Sequence, residues 1–300
     1  MKYIRLNLDF YHPWANNAGY YLARSRGFYE EEGIDLDITS FDPYRDDSLH
    51  RLIRGEIDIA CNYPQRLMLH TQKGDQAVSV AAVNSTTFES LIFDDRNPIG
   101  SVKDLEGKTI GTPRSPRVRE VLRYLMEKNG VDPEAVKFVE YYPAEPDPLI
   151  IETGEIDAVW GSYWAWEGVL SKLRNPHISW FQSPELGAPF IHNQVLAVRK
   201  QTADSDENLI RAFLKATKLG FAAAAADPEE AATVMIKAAP MFTAEDFKAA
   251  VTACVPTWNL DNWGSHDMEN IQSYASWLKS RNLLKSDQGH LAAFTQAFLP

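Results

Sequence analysis

Apolar and polar positions alternate over residues 3–8 (YIRLNL), which predicts a half-buried strand. A polar-aromatic loop, DFYHPWANN, follows. A helical period then runs from about residue 18 to residue 32 and stops at Gly33. Alternation returns in IDLDIT (34–39), and a helix over 48–54, closed by Gly55, leads into the strand IDIAC. This strand–loop–helix–strand rhythm predicts a mostly parallel α/β sheet. The rhythm starts again at residue 101, with a short helix capped by Ser101, the strand KTIGT and a helix over 116–129. The strand VKFVEYY comes next, and residues 147–153 lead to a further turn. After the strand QVLAV the pattern is helical to the end, over 205–226, 228–238, 243–255, 267–281 and 291–298. Asp227-Pro228 and Thr243 supply helix starts.

One internal echo organises these elements. LIRGEIDIA (52–60) recurs as IETGEIDAV (151–159), each a helix end, a glycine and a short apolar strand. Each strand delivers a polar-aromatic loop, CNYPQR in the first copy and WGSYWAWE in the second. The echo predicts two similar α/β units, lobe 1 over 1–92 and 192–300 and lobe 2 over 93–191. No Pro/Gly/Ser-rich linker intervenes, so the chain is expected to cross out near 90–98 and back near 187–194. A ligand is expected between the lobes, against loops at the carboxyl ends of strands.

Composition narrows the function. The 300 residues carry a formal charge of −11, which offers no basic footprint for nucleic acid or an anionic membrane. Cys61 and Cys254 lie far apart and outside any CxxC, against a zinc framework, and whether they pair is left open. No apolar run reaches the length of a membrane span. The first residues lack the charged-then-apolar pattern of a secretory leader. The expected location is therefore extracytoplasmic, free or lipid-anchored, if a leader has been removed, and cytoplasmic if Met1 is native. No GxSxG, HExxH or GxGxxG occurs, and the seven histidines show no metal-ligand spacing. No catalytic residue, metal or cofactor is assigned, and a monomer is expected.

The stretch LDFYHPWANNAGYYLARSRGFYEEEGIDLDI resembles the opening of type II periplasmic-type solute-binding proteins of ABC importers. More narrowly, it is similar to the branch that binds thiamine pyrimidine precursors and shares its fold with the fungal pyrimidine-precursor synthase. RGFYEEEGIDL, GEIDIACNYPQ, SVKDLEGKTIG, GEIDAVWGSYWAWEG and GAPFIHNQVLAV fall where that family places its signatures. The resemblance implies two lobes, two crossing hinge segments and a ligand clamped between them. By position it implies ring-stacking and ring-reading residues at Phe10, Trp14, Asn17, Asn62, Tyr63, Tyr163 and Glu167. The synthase presents a lysine for pyridoxal phosphate and then a histidine where this chain has Asn62 and Arg66. Its cysteine cluster is replaced by FIHNQV, which contains His192.

The residues themselves suit a flat, nitrogen-rich ligand. Tyr163, Trp164 and Trp166 offer faces on which a heterocycle would stack. Glu167 is either an acid that reads an amino edge or a helix-terminal glutamate favoured by the dipole. Arg114 and Ser115, in TPRSPRVRE, are either contacts for the ligand's tail or a solvated helix start, and His12 reads as a loop residue. His192 joins the candidate set from the return segment. The expected function is an importer's solute-binding component for a thiamine pyrimidine precursor, with an ABC permease as partner. The alternatives are a cytosolic heterocycle sensor, a pyrimidine-metabolism enzyme on the same scaffold, and a flavin or sulfonate cargo.

Overall fold

The computed structural model describes residues 1–42, 47–142 and 147–300. The strands, in chain order, are β1 Lys2–Asn7, β2 Ile34–Thr39, β3 Ile59–Asn62, β4 Ala77–Ala82 and β5 Glu89–Asp94. They continue with β6 Thr109–Pro113, β7 Lys137–Tyr141, β8 Ala158–Tyr163, β9 Ile178–Gln182 and β10 Val195–Arg199. They form two five-stranded sheets ordered β2-β1-β3-β10-β4 and β7-β6-β8-β5-β9. The chain divides into one compact unit of residues 1–86 and 191–300 and another of residues 87–190.

The two sheets repeat one plan. In each, the first three strands are parallel (β1 with β2 and β3, β6 with β7 and β8). A strand from the chain's other crossing then pairs antiparallel on both sides, β10 in the first sheet and β5 in the second. Those inserted strands make the sheets mixed rather than mostly parallel. The first division falls at 86/87, ahead of the expected 92/93, because β5 is hydrogen-bonded between β8 and β9.

The GEID echo has a structural cause. Gly55 and Gly154 both take left-handed φ (76° and 75°), which glycine alone adopts without a Cβ penalty. Three residues on, in each copy, the aspartate locks strand to strand. Asp58 N–H donates to Arg5 O at 2.9 Å and Asp58 Oδ2 accepts Arg5 N–H at 3.0 Å. Asp157 makes the same two bonds to Thr109, both 2.8 Å.

The helices depart from the sequence pattern in three places. The predicted helix over 18–32 is broken into Ala18–Ser25 and Phe28–Glu31, because Gly27 takes φ 76° and ends the first piece. The long helix Glu207–Ala226 starts from Asp206, whose side chain caps Leu209 N–H, and a separate turn, Lys200–Ser205, precedes it. The expected helix over 291–298 is one turn, His290–Ala293. Beyond it Thr295 N–H bonds to Ser79 O on the edge of β4, so the tail covers a sheet edge.

In the first unit, Leu49, Leu52, Leu67 and Met68 pack with Ile271, Tyr274 and Leu278 of helix Met268–Ser280. In the second, Ile92, Ile151, Ile156, Val159 and Ile178 form a core cluster. Cys61 and Cys254 are both free and buried, so they make no disulfide. No helix of the described residues is long and apolar enough to cross a membrane.

Candidate functional site

Within each unit, the candidate loops leave the carboxyl ends of two neighbouring parallel strands. The loops after β1 and β3 carry the first set, and those after β6 and β8 carry the second.

After β1, Asp9 has a fully buried carboxylate. It is held by Arg66 Nη1 at 3.3 and 3.4 Å, with Ser48 Oγ donating at 3.4 Å. Phe10 is buried and stacks on Tyr11, centroids 4.4 Å apart and 26° between planes, with Trp14 at 5.8 Å. His12 lies edge-on to Phe10 and its Nδ1–H donates to Pro13 O at 2.9 Å; burial lowers its pKa. Trp14 and Asn17 are both fully buried and tied to each other. Trp14 N–H donates to Asn17 Oδ1 at 3.1 Å, and Asn17 N–H to Trp14 O at 2.8 Å. Asn17 is thus a turn-capping residue as well as a candidate contact.

After β3, Asn62 is also fully buried. Its Nδ2 donates to Ser48 Oγ at 2.5 Å and its Oδ1 accepts Tyr63 N–H at 2.6 Å. Tyr63 is half-buried under the Arg66 guanidinium, 5.3 Å from its ring centre. Arg66 therefore ties the two loops together, holding Asp9 in one and Tyr63 in the other.

After β6, Ser115 caps helix Pro116–Lys128 and Arg114 is exposed. The basic run is largely neutralised within its own unit. Arg117 forms a bidentate ion pair with buried Glu89, and Arg119 pairs with Glu140 at 2.9 Å while lying over Phe138. After β8, the segment Trp164–Gly168 makes a single wide turn of the π type, a geometry frequent at functional sites. Tyr163, Trp164 and Trp166 are buried. Phe88 touches both Tyr163 and Trp164, at 5.9 and 5.7 Å. Glu167 Oε2 accepts Tyr163 N–H at 2.8 Å, which fixes the carboxylate against the end of β8. Tyr163 is the N-cap of that turn, so the bond is to the turn's own first N–H.

His192 has both ring nitrogens committed inside the first unit. Nδ1–H donates to Asn84 O, and Nε2 accepts Asp267 N–H, each at 2.8 Å. It sits beside a buried amide network in which Asn16 Nδ2 donates to Asn84 Oδ1 (3.0 Å) and Gln194 Oε1 (2.8 Å). Asn84 Nδ2 and Trp258 Nε1 both donate to Asn16 Oδ1 at 2.8 Å. Asn84 precedes the outgoing crossing and Gln194 follows the return, so the network braces the first unit where the chain leaves and re-enters it.

Sequence reasoning missed Phe88, Glu89 and the Asn16–Asn84–Gln194 network. FES in TTFESLIFDD offered no periodic signal before its strand, and an amide network brings together residues remote in the chain.

The profile of the family described as NMT1/THI5 like matches residues 14–231. The chain belongs to that family. A curated relative, the formylaminopyrimidine-binding protein of Halalkalibacterium halodurans, is 26% identical over 291 residues, 95% of this chain and 87% of the relative. Among solved structures, the periplasmic aliphatic sulphonate binding protein SsuA from Escherichia coli superposes with a TM-score of 0.75. It is 15% identical, over 96% of this chain and 90% of that one. The desulfurization enzyme DSZB superposes at 0.65 with 13% identity, over 98% and 97%. At these identities the likeness shows the fold, that of periplasmic binding proteins, and this NMT1/THI5-like chain shares it with both binders and an enzyme.

Proposed function

We propose that this chain is the solute-binding component of an ABC importer for an aminopyrimidine precursor of thiamine. What carries the reading is the end of β8, where a hydrogen-bonded Glu167 carboxylate stands beside Tyr163 and Trp164. A carboxylate accepts at several lone-pair sites, so an oxygen that holds Tyr163 N–H still has capacity for a ring N–H or exocyclic amine. Such a pair, charge-assisted and away from water, discriminates strongly for an amino edge. Phe10, Trp14, Tyr163, Trp164 and Trp166 supply the ring faces; Asn17, Asn62, Tyr63, Arg114 and Ser115 supply polar contacts. His192 acts through its backbone ties, as a positioning residue. The ligand-bound form would give the permease a distinct state to recognise. An importer component of this kind works outside the cytoplasm, and that is the location proposed.

The formylaminopyrimidine-binding relative supports this cargo. A sulfonate cargo is disfavoured because Arg117 and Arg119, the obvious donors in the basic loop, are occupied by Glu89 and Glu140. A synthase activity is disfavoured because Asn62 has no amine for an imine with pyridoxal phosphate. Isothermal titration of the protein with an aminopyrimidine precursor, a flavin and an alkanesulfonate tests the assignment. Stoichiometric heat with the aminopyrimidine alone supports it, and heat with the sulfonate alone overturns it.

A further inference from the structure

Sequence spacing hides one cluster that the fold brings together. Asp47, His50 and His70 each place a ligand-capable atom within 4.8 Å of the others, in the first unit. Asp47 is the N-cap of helix Ser48–Ile53, with His50 in that helix's first turn, while His70 comes from helix Pro64–Gln72. Asp47 Oδ1 is held by Leu49 N–H at 2.6 Å, and Oδ2 lies 3.7 Å from His70 Nε2. The His50 ring stands 4.5 Å from that of His70, at 66°. Behind the cluster, buried His70 donates Nδ1–H to Asp75 Oδ2 at 2.6 Å. That bond turns Nε2 toward Asp47, where it carries a proton when the ring is charged and offers its lone pair to a metal ion only when the ring is neutral. A carboxylate behind an imidazole is the outer-shell arrangement that orients metal-bound histidines.

We propose that Asp47, His50 and His70 bind one divalent transition-metal ion, zinc fitting best, with Asp75 as the outer partner of His70. Two imidazoles and a carboxylate suit zinc rather than the oxygen-seeking magnesium or calcium. The two aspartates balance the dication. At zinc–ligand lengths of about 2.0–2.2 Å, tetrahedral donors stand roughly 3.3 Å apart, so the widest pair closes by about 1.5 Å. Arg66 Nη1 lies 3.9 Å from Asp47 Oδ2, but it is nearer Asp9, at 3.3 Å, and its side chain is 40% exposed, so it is able to withdraw. The bound ion would clip two helices together and stiffen the start of the helix that follows Asn62 and Tyr63. The site adjoins the candidate loop after β3, since Asn62 Nδ2 lies 3.5 Å from Asp47 Oδ1, but zinc binding is read without any cargo present.

The test is calorimetric titration of tag-free, chelator-treated full-length protein with zinc chloride and, separately, magnesium chloride. One equivalent of zinc is expected to bind, and magnesium not. The His50→Ala variant removes a half-exposed ligand, leaves the circular dichroism unchanged, and is expected to weaken zinc binding 100-fold or more. Asp75→Asn, which keeps the shape of the outer partner, is expected to weaken it about 10-fold. Absence of stoichiometric zinc binding, or equal affinity in His50→Ala, would overturn the site and leave His70 as an ion-pair partner of Asp47 and Asp75.

Discussion

Asp58 and Asp157, 99 positions apart, make the same two backbone bonds in two different sheets, Asp58 joining the start of β3 to β1 and Asp157 the start of β8 to β6. Replacing either with alanine leaves a backbone N–H on the neighbouring strand without its acceptor. Asp157→Ala is expected to cost about 1–2 kcal/mol. Asp58→Ala should cost more, because Asp58 also receives Arg5 Nε at 2.9 Å and Arg5 Nη2 at 3.0 Å. Denaturant midpoints of the two variants check the ranking; a neutral Asp157→Ala would contradict it.

Arg117 and Glu89 form a largely buried ion pair, with side chains 18% and 8% exposed. Arg117→Ala leaves a largely buried carboxylate without its ion-pair partner, and the expected loss is about 3 kcal/mol. The double change Arg117→Met with Glu89→Leu should recover most of it, since a buried pair is often no better than apolar residues of its size. Urea unfolding of the single and double variants measures both numbers.

Stability should fall on mild acidification. Burial, with His192 nearby, holds His266 down to about 3, and burial also lowers His192. Above about pH 7 both are neutral in folded and unfolded chains and contribute no slope. Below about 6.5 the unfolded chain takes up protons that the folded one refuses, so stability drops as pH falls toward the folded values. The slope is about 1.4 kcal/mol per pH unit for each proton. Between pH 6.5 and 5 this precedes Asp94, which the Arg96 side chain holds down to about 2. Denaturant midpoints at pH 7.5, 6 and 5 should decline, and His266→Asn should flatten the decline by about one proton. An equal slope in that variant would assign the effect elsewhere.

The pattern of the chain made much of the fold legible. β2 stands where period-two alternation placed it, and most helix starts follow from Ser, Thr or Asp caps. The strands β4, β5 and β9 were not legible; AVSVAA and ESLIFD are buried on both faces and carry no alternation. Gly27 broke a helix that its neighbours' propensity would continue. At the candidate site, the sequence showed the aromatic turn and Glu167 but not their local partners. Nor did the basic run TPRSPRVRE show that Arg117 is paired with Glu89, 28 positions away. The Asp47–His50–His70 cluster was invisible because histidines 20 positions apart meet only through packing of two helices.

The central claim rests on Glu167 reading an amino edge. Calorimetric titration of wild-type and Glu167→Gln protein with an aminopyrimidine thiamine precursor tests it most directly. Stoichiometric binding by the wild type, weakened 10-fold or more in Glu167→Gln, about 1.4 kcal/mol, is the predicted result. Equal affinity in the two proteins, with Glu167→Gln still folded, would contradict it.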